Sequence, residues 1–234
     1  MPGTLEGACE GGALVVKLSG SLVYPPRPGY LAGLREVLAG LAGTCKVGLV
    51  VGGGSLARDI IGALREMGLP ESLLDLAGIE ASRLNGFTVA LALRGLAPPR
   101  IPTTIEEALE ELSRYPIVVL GGLQPGQSTN AVAAALAEAM EARILLNMLK
   151  GVDGVYTPYP GAPGARRLER LNYGELESII SSMKQTAGAY TLFDNVALRI
   201  AERSSIRIIF ADGSRPENIV RALKGEVPRT IVSP

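Results

Sequence analysis

Histidine is absent from all 234 residues. That excludes a Ser-His-Asp triad, a Cys-His dyad, a His-ligated metal centre and a phosphohistidine carried by the protein. Cysteine is scarce. Cys9 and Cys45 are the only two, too few for a disulfide framework, and no paired CxxC motif reads as a zinc site. A reduced, intracellular protein is the expectation. Neither sign of charge is in excess, since Lys plus Arg and Asp plus Glu both total 23. No bulk field therefore draws the chain to nucleic acid or to a membrane surface. No apolar run approaches the ~20 residues of a helical membrane span. The first such run, Ala13 to Val16, follows an acidic stretch, so a secretory leader is not expected. Fixed-period repeats, low-complexity tracts, charge blocks and long linkers are missing as well, which argues for a single domain over residues 1–234.

Hydrophobic residues make up 47% of the chain, enough to bury a substantial core at this length. Apolar runs bounded by glycine lie at 13–20, 46–54, 116–122 and 142–147, with a fifth at 206–212. These read as buried strands. Helical patterns separate nearly all of them: Pro28 to Leu41, Ser55 to Met67, Glu71 to Leu93, Thr104 to Ser113, Asn130 to Glu141, Asn172 to Ser181, Asp194 to Ser204 and Pro216 to Leu223. Strand and helix in alternation predict an α/β fold, a mostly parallel sheet covered on both faces. Thr104 with Glu107 fits a capping box, and Pro216 fits a first helical turn. The Gly/Pro-rich stretches 121–129 and 157–167 read as loops.

Three glycine-rich turns each follow a predicted buried strand: Lys17 to Gly20, Gly52 to Arg58, and Gly121 to Thr129. Glycine lets backbone N–H groups approach a phosphate, and a helix beginning after the turn adds its N-terminal dipole. Neither GxxxxGK[ST] nor GxGxxG occurs at these turns, which disfavours a P-loop NTPase or a dinucleotide fold. Tight turning alone would also account for any one of the glycines. Lys17 lies inside an apolar strand, where an ammonium is costly unless it faces an anion or snorkels from the strand's end. Arg58 falls near the start of the next helix, beside a held phosphate or on a solvated face. Asp75 suits ribose hydroxyls, or is a cap or surface acid. Asp153, between valine and glycine, reads as a turn residue.

With these residues in view, the chain resembles the amino acid kinase superfamily and, within it, the archaeal-type uridylate (UMP) kinases, over roughly residues 13–234. VVKLSGSL at 15–22 is similar to the family's first strand and phosphate turn, VVGGGSLARDII at 50–61 to its second, and GIEASRLNG at 78–86 to its acceptor-side helix. GGLQPGQST at 121–129 resembles its nucleoside monophosphate loop, and GVDGVYT at 151–157 its adenine-side turn. Residues 186–210 resemble its C-terminal segment, and the final IVSP its terminal strand.

The resemblance implies a three-layer α/β/α sandwich of the amino acid kinase type, with a UMP-binding half at about 13–140 and an ATP-binding half at about 141–234. It implies reversible transfer of the ATP γ-phosphoryl group to UMP, giving UDP and ADP on the way to UTP and CTP, with Mg²⁺ accompanying ATP. Other acceptors used in the superfamily, acetylglutamate, carbamate or isopentenyl phosphate, and a catalytically silent nucleotide-binding relative, are the alternatives. Lys17 matches the catalytic lysine, whose charge offsets what develops on the transferring phosphoryl. Lys17, Ser19, Gly20, Gly54 and Arg58 match ATP-phosphate contacts, and Lys150, Gly151 and Tyr156 the ATP-side turn. Gly53, Asp75, Leu123, Gln124, Pro125, Gly126, Gln127, Ser128 and Thr129 match the UMP side. No residue is assigned to metal. Three departures stand out. Asn130 sits where many relatives have an aspartate, which leaves Mg²⁺ to ATP oxygens and water; Gly151 replaces a lysine or asparagine; and Tyr159 replaces an acid, which loosens donor preference. The resemblance further implies a cytoplasmic homo-oligomer, a hexamer, and the apolar girth of the helix at 71–93 agrees with oligomer formation. Eighteen arginines against five lysines, 16 prolines and only nine Asn plus Gln hint at a hot origin.

Overall fold

The computed structural model describes residue 9, residues 12–181 and residues 192–234. Residues 186–191 of the family-like C-terminal segment lie outside the described residues. The predicted apolar runs form the strands β1 (Ala13–Leu18), β2 (Lys46–Val51), β3 (Ile117–Leu120), β4 (Ile144–Leu149) and β8 (Arg207–Asp212). Nearly every residue in them is buried, as a parallel sheet covered on both faces requires. They belong to a seven-stranded sheet of order β3-β2-β1-β4-β8-β9-β7, completed by β9 (Arg229–Val232) and β7 (Arg170–Leu171). The first five strands run parallel, β9 is antiparallel to β8, and β7 runs parallel to β9.

Side chains alternate between two faces. Val15, Leu145 and Phe210 face one core, beneath the helices α6 (Thr129–Ala139), α7 (Tyr173–Ser181) and α8 (Asn195–Arg203). Leu14, Val16 and Leu146 face the other, beneath α2 (Pro28–Ala42) and α9 (Asn218–Lys224) and against the C-terminal part of α4 (Glu71–Ala92). Each fully buried aliphatic side chain contributes about 1.5–3 kcal/mol by leaving water. A smaller cluster of Ala57, Ile61, Leu74 and Ala81 joins α4 to α3 (Gly54–Glu66). The mostly parallel sheet covered on both faces that the alternation predicts is observed, as is the three-layer α/β/α arrangement that the resemblance implies.

Several local expectations are corrected. A one-turn helix, α1 (Gly20–Val23), follows β1 directly. The loop at 157–167 is closed at its base by a hairpin of β5 (Val155–Thr157) and β6 (Arg166–Leu168). At α5 (Ile105–Arg114) the capping box is shifted: Thr104 Oγ1 accepts from Glu107 N, but Glu107 Oε2 accepts from Thr103 N, one residue earlier than the motif specifies. Pro216 precedes its helix, accepting from Ile219 N in the turn before α9. Cys9 and Cys45, expected as free thiols, form a disulfide with a Cα–Cα distance of 5.8 Å. Lys46 N donates to Gly12 O at 3.0 Å, and this contact sets Gly12 alongside the start of β2.

Candidate active site

The carboxyl ends of β1, β2 and β3 deliver their glycine turns to one edge of the sheet, where α/β folds collect ligands. The first two turns press together. A Cβ on Gly20 would lie 2.0 Å from Gly52 O, and one on Gly54, at φ +62°, would lie 2.2 Å from Ser21 N. No side chain fits in either place. Asn85, buried on α4, donates through Nδ2 to both Gly52 O and Gly53 O at 3.0 Å. Three residues earlier on α4, Ser82 Oγ accepts from Gly122 N at 2.7 Å, and Arg83 donates to Gly122 O and Leu123 O. One helix thus fixes two of the three turns.

Between α3, α4, α6 and α8 opens a cavity of about 580 Å³. Lys17, near the end of β1, reaches it half-buried. Burial holds its ammonium down at about 8, against an ordinary 10.5, while the Asp194 carboxylate pulls the other way. Asp194 caps α8 through Ala197 N at 3.0 Å and accepts from Ser128 Oγ. Ser128 in turn caps α6, accepting from Asn130 N and Ala131 N. Two helix N-termini and a lysine therefore face the cavity, an arrangement suited to anions. Arg58 adds a guanidinium from α3, with Nη2 donating to Ser21 Oγ at 3.2 Å. Asp75 Oδ2 accepts from Gly126 N at 2.9 Å and pins the 123–129 loop against α4.

Of the residues assigned from sequence, Lys17, Gly53, Gly54, Arg58, Asp75, Gln124, Gly126, Gln127, Ser128 and Thr129 line this cavity. Ser19 and Gly20 lie beside it, in the turn that Ser19 N ties to Met148 O. Leu123 packs inward on the core beneath α6, and Pro125 is exposed at the loop's outer side. Lys150, Gly151 and Tyr156 stand apart, beyond β4. Gly151 N donates to Asp212 Oδ1 at 2.8 Å and Tyr156 Oη to Asp153 Oδ1 at 2.7 Å. Asp153 and Asp212 both line a second depression of about 290 Å³, with Arg215 and Arg221. Asp153, read from sequence as a turn residue, thus also holds Tyr156 and faces that depression. Sequence reasoning missed Asp194, Asn85 and Ser82. The only signals were an Asp at a predicted helix start and two polar residues four and one positions before Gly86.

Residues 12–212 match the family model described as the amino acid kinase family. Over 216 residues, 92% of this chain and 96% of the relative, the sequence is 55% identical to a protein named uridylate kinase from Aeropyrum pernix. The chain belongs to the amino acid kinase family, on its archaeal uridylate kinase branch. A uridylate kinase from Hyperthermus butylicus is 44% identical over 92% of this chain and 95% of its own. The crystal structure of the uridylate kinase from Archaeoglobus fulgidus matches with a TM-score of 0.83 at 35% identity, across 94% of this chain and 99% of that one. For an amino acid kinase, the cavity with its lysine, guanidinium and two helix N-termini is the natural candidate for the reacting centre.

Proposed function

We propose that this protein is a UMP kinase, transferring the γ-phosphoryl group of ATP reversibly to UMP to give UDP and ADP. The observation that carries the reading is the cavity itself, with Lys17 in its wall and the 123–129 loop pinned by Asp75 at its side, in a chain 55% identical to a uridylate kinase. In this reading Lys17 stands beside the transferring phosphoryl group and offsets its developing charge, and positioning supplies most of the rest. Ser19, Gly20, Gly54 and Arg58 hold the donor phosphates. Lys150, Gly151 and Tyr156 bracket the adenosine end, next to the second depression. Gly53 lies against UMP and Asp75 binds its ribose, and residues 123–129 wrap the uracil and its phosphate, rejecting other bases by leaving their own polar groups unpaired.

Phosphoryl transfer from ATP generally needs a divalent ion, and we assign Mg²⁺. When bound it neutralises donor phosphate charge. Among the described residues no three His, Cys, Asp or Glu side chains cluster as a metal cage, and Asn130 supplies an amide to the cavity wall. Such a donor set fits an ion that keeps phosphate oxygens and water as its ligands.

The halves at about 13–140 and 141–234 then act as acceptor and donor sides of a single domain. Among the described residues no helix is long and apolar enough to cross a membrane, and a cytoplasmic location goes with nucleotide substrates. We also assign a homo-oligomer, a hexamer by family resemblance. Its support is the outer face of α4, where Leu73, Leu76, Leu84, Phe87 and Leu91 are all exposed along one stripe. The test is ADP release with MgATP and a panel of acceptors: UMP, CMP, dUMP, acetylglutamate, carbamate and isopentenyl phosphate. UMP-selective release supports the assignment; preference for an acceptor other than a pyrimidine nucleotide would overturn it.

A further inference from the structure

One rung of the sheet runs Leu120, Val50, Lys17, Asn147, Phe210 from β3 to β8. Residues paired in parallel register point to the same face, so Lys17 and Asn147 share the face of Val15 and Leu145, beneath α6. They are the two polar side chains among these five, on strands about 4.8 Å apart. Asn147 is fully buried. Its Nδ2 donates to Asn130 Oδ1 at 3.2 Å, but its Oδ1 has no hydrogen-bond partner. An orphaned buried acceptor is destabilising, so a strand of leucines and methionine would be more stable with another aliphatic residue here. Asn130 stands at the first turn of α6, in the cavity wall. Its contact fixes which end of the Asn147 amide is left over.

We propose that Asn147 is a positioning residue for Lys17, accepting a hydrogen bond from the lysine ammonium through Oδ1 while Asn130 holds the amide in that orientation. The pair does with two neutral amides what a carboxylate at position 130 would do with charge. A neutral acceptor steadies the ammonium without neutralising it, and leaves its full charge for the phosphoryl group. The inference rests on Lys17 being the reacting lysine, but the contact itself is measurable without turnover.

Lys17 also feels other charged groups. Asp194 reaches it from the start of α8; Arg58 of α3 and Glu71 and Asp75 of α4 line the same cavity, and the first turn of α6 carries no acid. None of these is altered by a change at position 147. An acceptor favours the charged lysine, so removing it should lower the titration midpoint, and a carboxylate there should raise it.

The chain has five lysines, which makes isotope-labelled lysine NMR tractable, and the signal lost in Lys17→Met identifies Lys17. Its titration would be followed in the free protein and with saturating ADP, in wild type, Asn147→Leu and Asn147→Asp. The expected result is a midpoint lowered by about one unit in Asn147→Leu and raised by a similar amount in Asn147→Asp. Turnover in Asn147→Leu should drop about tenfold or more with both KM values within about twofold. Midpoints unmoved in both variants, or moved in the same direction, would overturn the proposal. If Lys17→Met kept full turnover, the catalytic reading of Lys17 would fall, while the titration would still decide the contact with Asn147.

Discussion

At the scale of single residues the site is held together by side chains that satisfy backbone, and Lys17 is the exception. It carries a charge that burial disfavours, and this sets a testable conflict between stability and function. Replacing it with the neutral Lys17→Met should abolish measurable turnover yet raise the unfolding free energy at pH 7 by about 1–2 kcal/mol, after allowance for its partial exposure. The sign follows from proton counting. With a folded value of about 8 and an ordinary value of 10.5, the unfolded chain binds more protons between those limits, so wild-type stability climbs as pH rises through that window. Denaturant unfolding across pH 7–11 should therefore show the gap to Lys17→Met closing. Asp75→Ala should raise the KM for UMP by about tenfold while changing that for ATP little, because a ribose contact binds ground and transition states alike; lost turnover at unchanged KM would contradict the role given to Asp75. Lys17 was legible in the sequence as a cation in an apolar strand. Asp194 was not, because its partner Ser128 is 66 residues away and only the fold brings the two helix starts together.

At the scale of elements, the glycine turns are where local sequence and tertiary packing agree most closely. Gly54→Ala would force a side chain into a left-handed conformation and against Ser21 N, and should cost about 3 kcal/mol or more, read as a lowered urea midpoint with most activity lost. The turns were predicted because glycine follows an apolar run each time. The helix that braces them was recognised as a helix, but not as a brace, since Ser82 and Asn85 look like ordinary polar residues until the carbonyls and N–H groups they meet are in place. The two-residue β7 escaped for a related reason, while β9 was expected only through the likeness of the final IVSP to the family's terminal strand, which starts it two residues late. Arg229 to Val232 and Arg170 to Leu171 are too short to show a period, and each is defined by the strand beside it. The outer face of α4 carries a separate expectation: Leu84→Glu with Leu91→Glu should reduce the sedimenting mass to that of a monomer while the helix content stays the same. Unchanged mass would show that this stripe is not where copies meet.

At the scale of the whole molecule, seven strands form one continuous sheet whose two cores are separated by strand alternation. A lysine on β1 and an asparagine on β4 are thereby neighbours although 130 positions apart in the chain. The cavity lies over the carboxyl ends of β1 to β3 and the second depression over those of β4 and β8; in the proposed reading, a phosphoryl donor stretched between them presents its reactive end to Lys17. The overall α/β architecture was readable from the spacing of apolar runs, because buried parallel strands leave the plainest mark a sequence can carry. The disulfide between Cys9 and Cys45 was not, because two cysteines 36 residues apart are brought together only by the fold. The most direct test of the central claim is initial-rate ADP release with MgATP and the acceptor panel. Release selective for UMP, lost in Lys17→Met, is the expected result. Release selective for acetylglutamate, carbamate or isopentenyl phosphate, or none with any acceptor, would contradict it.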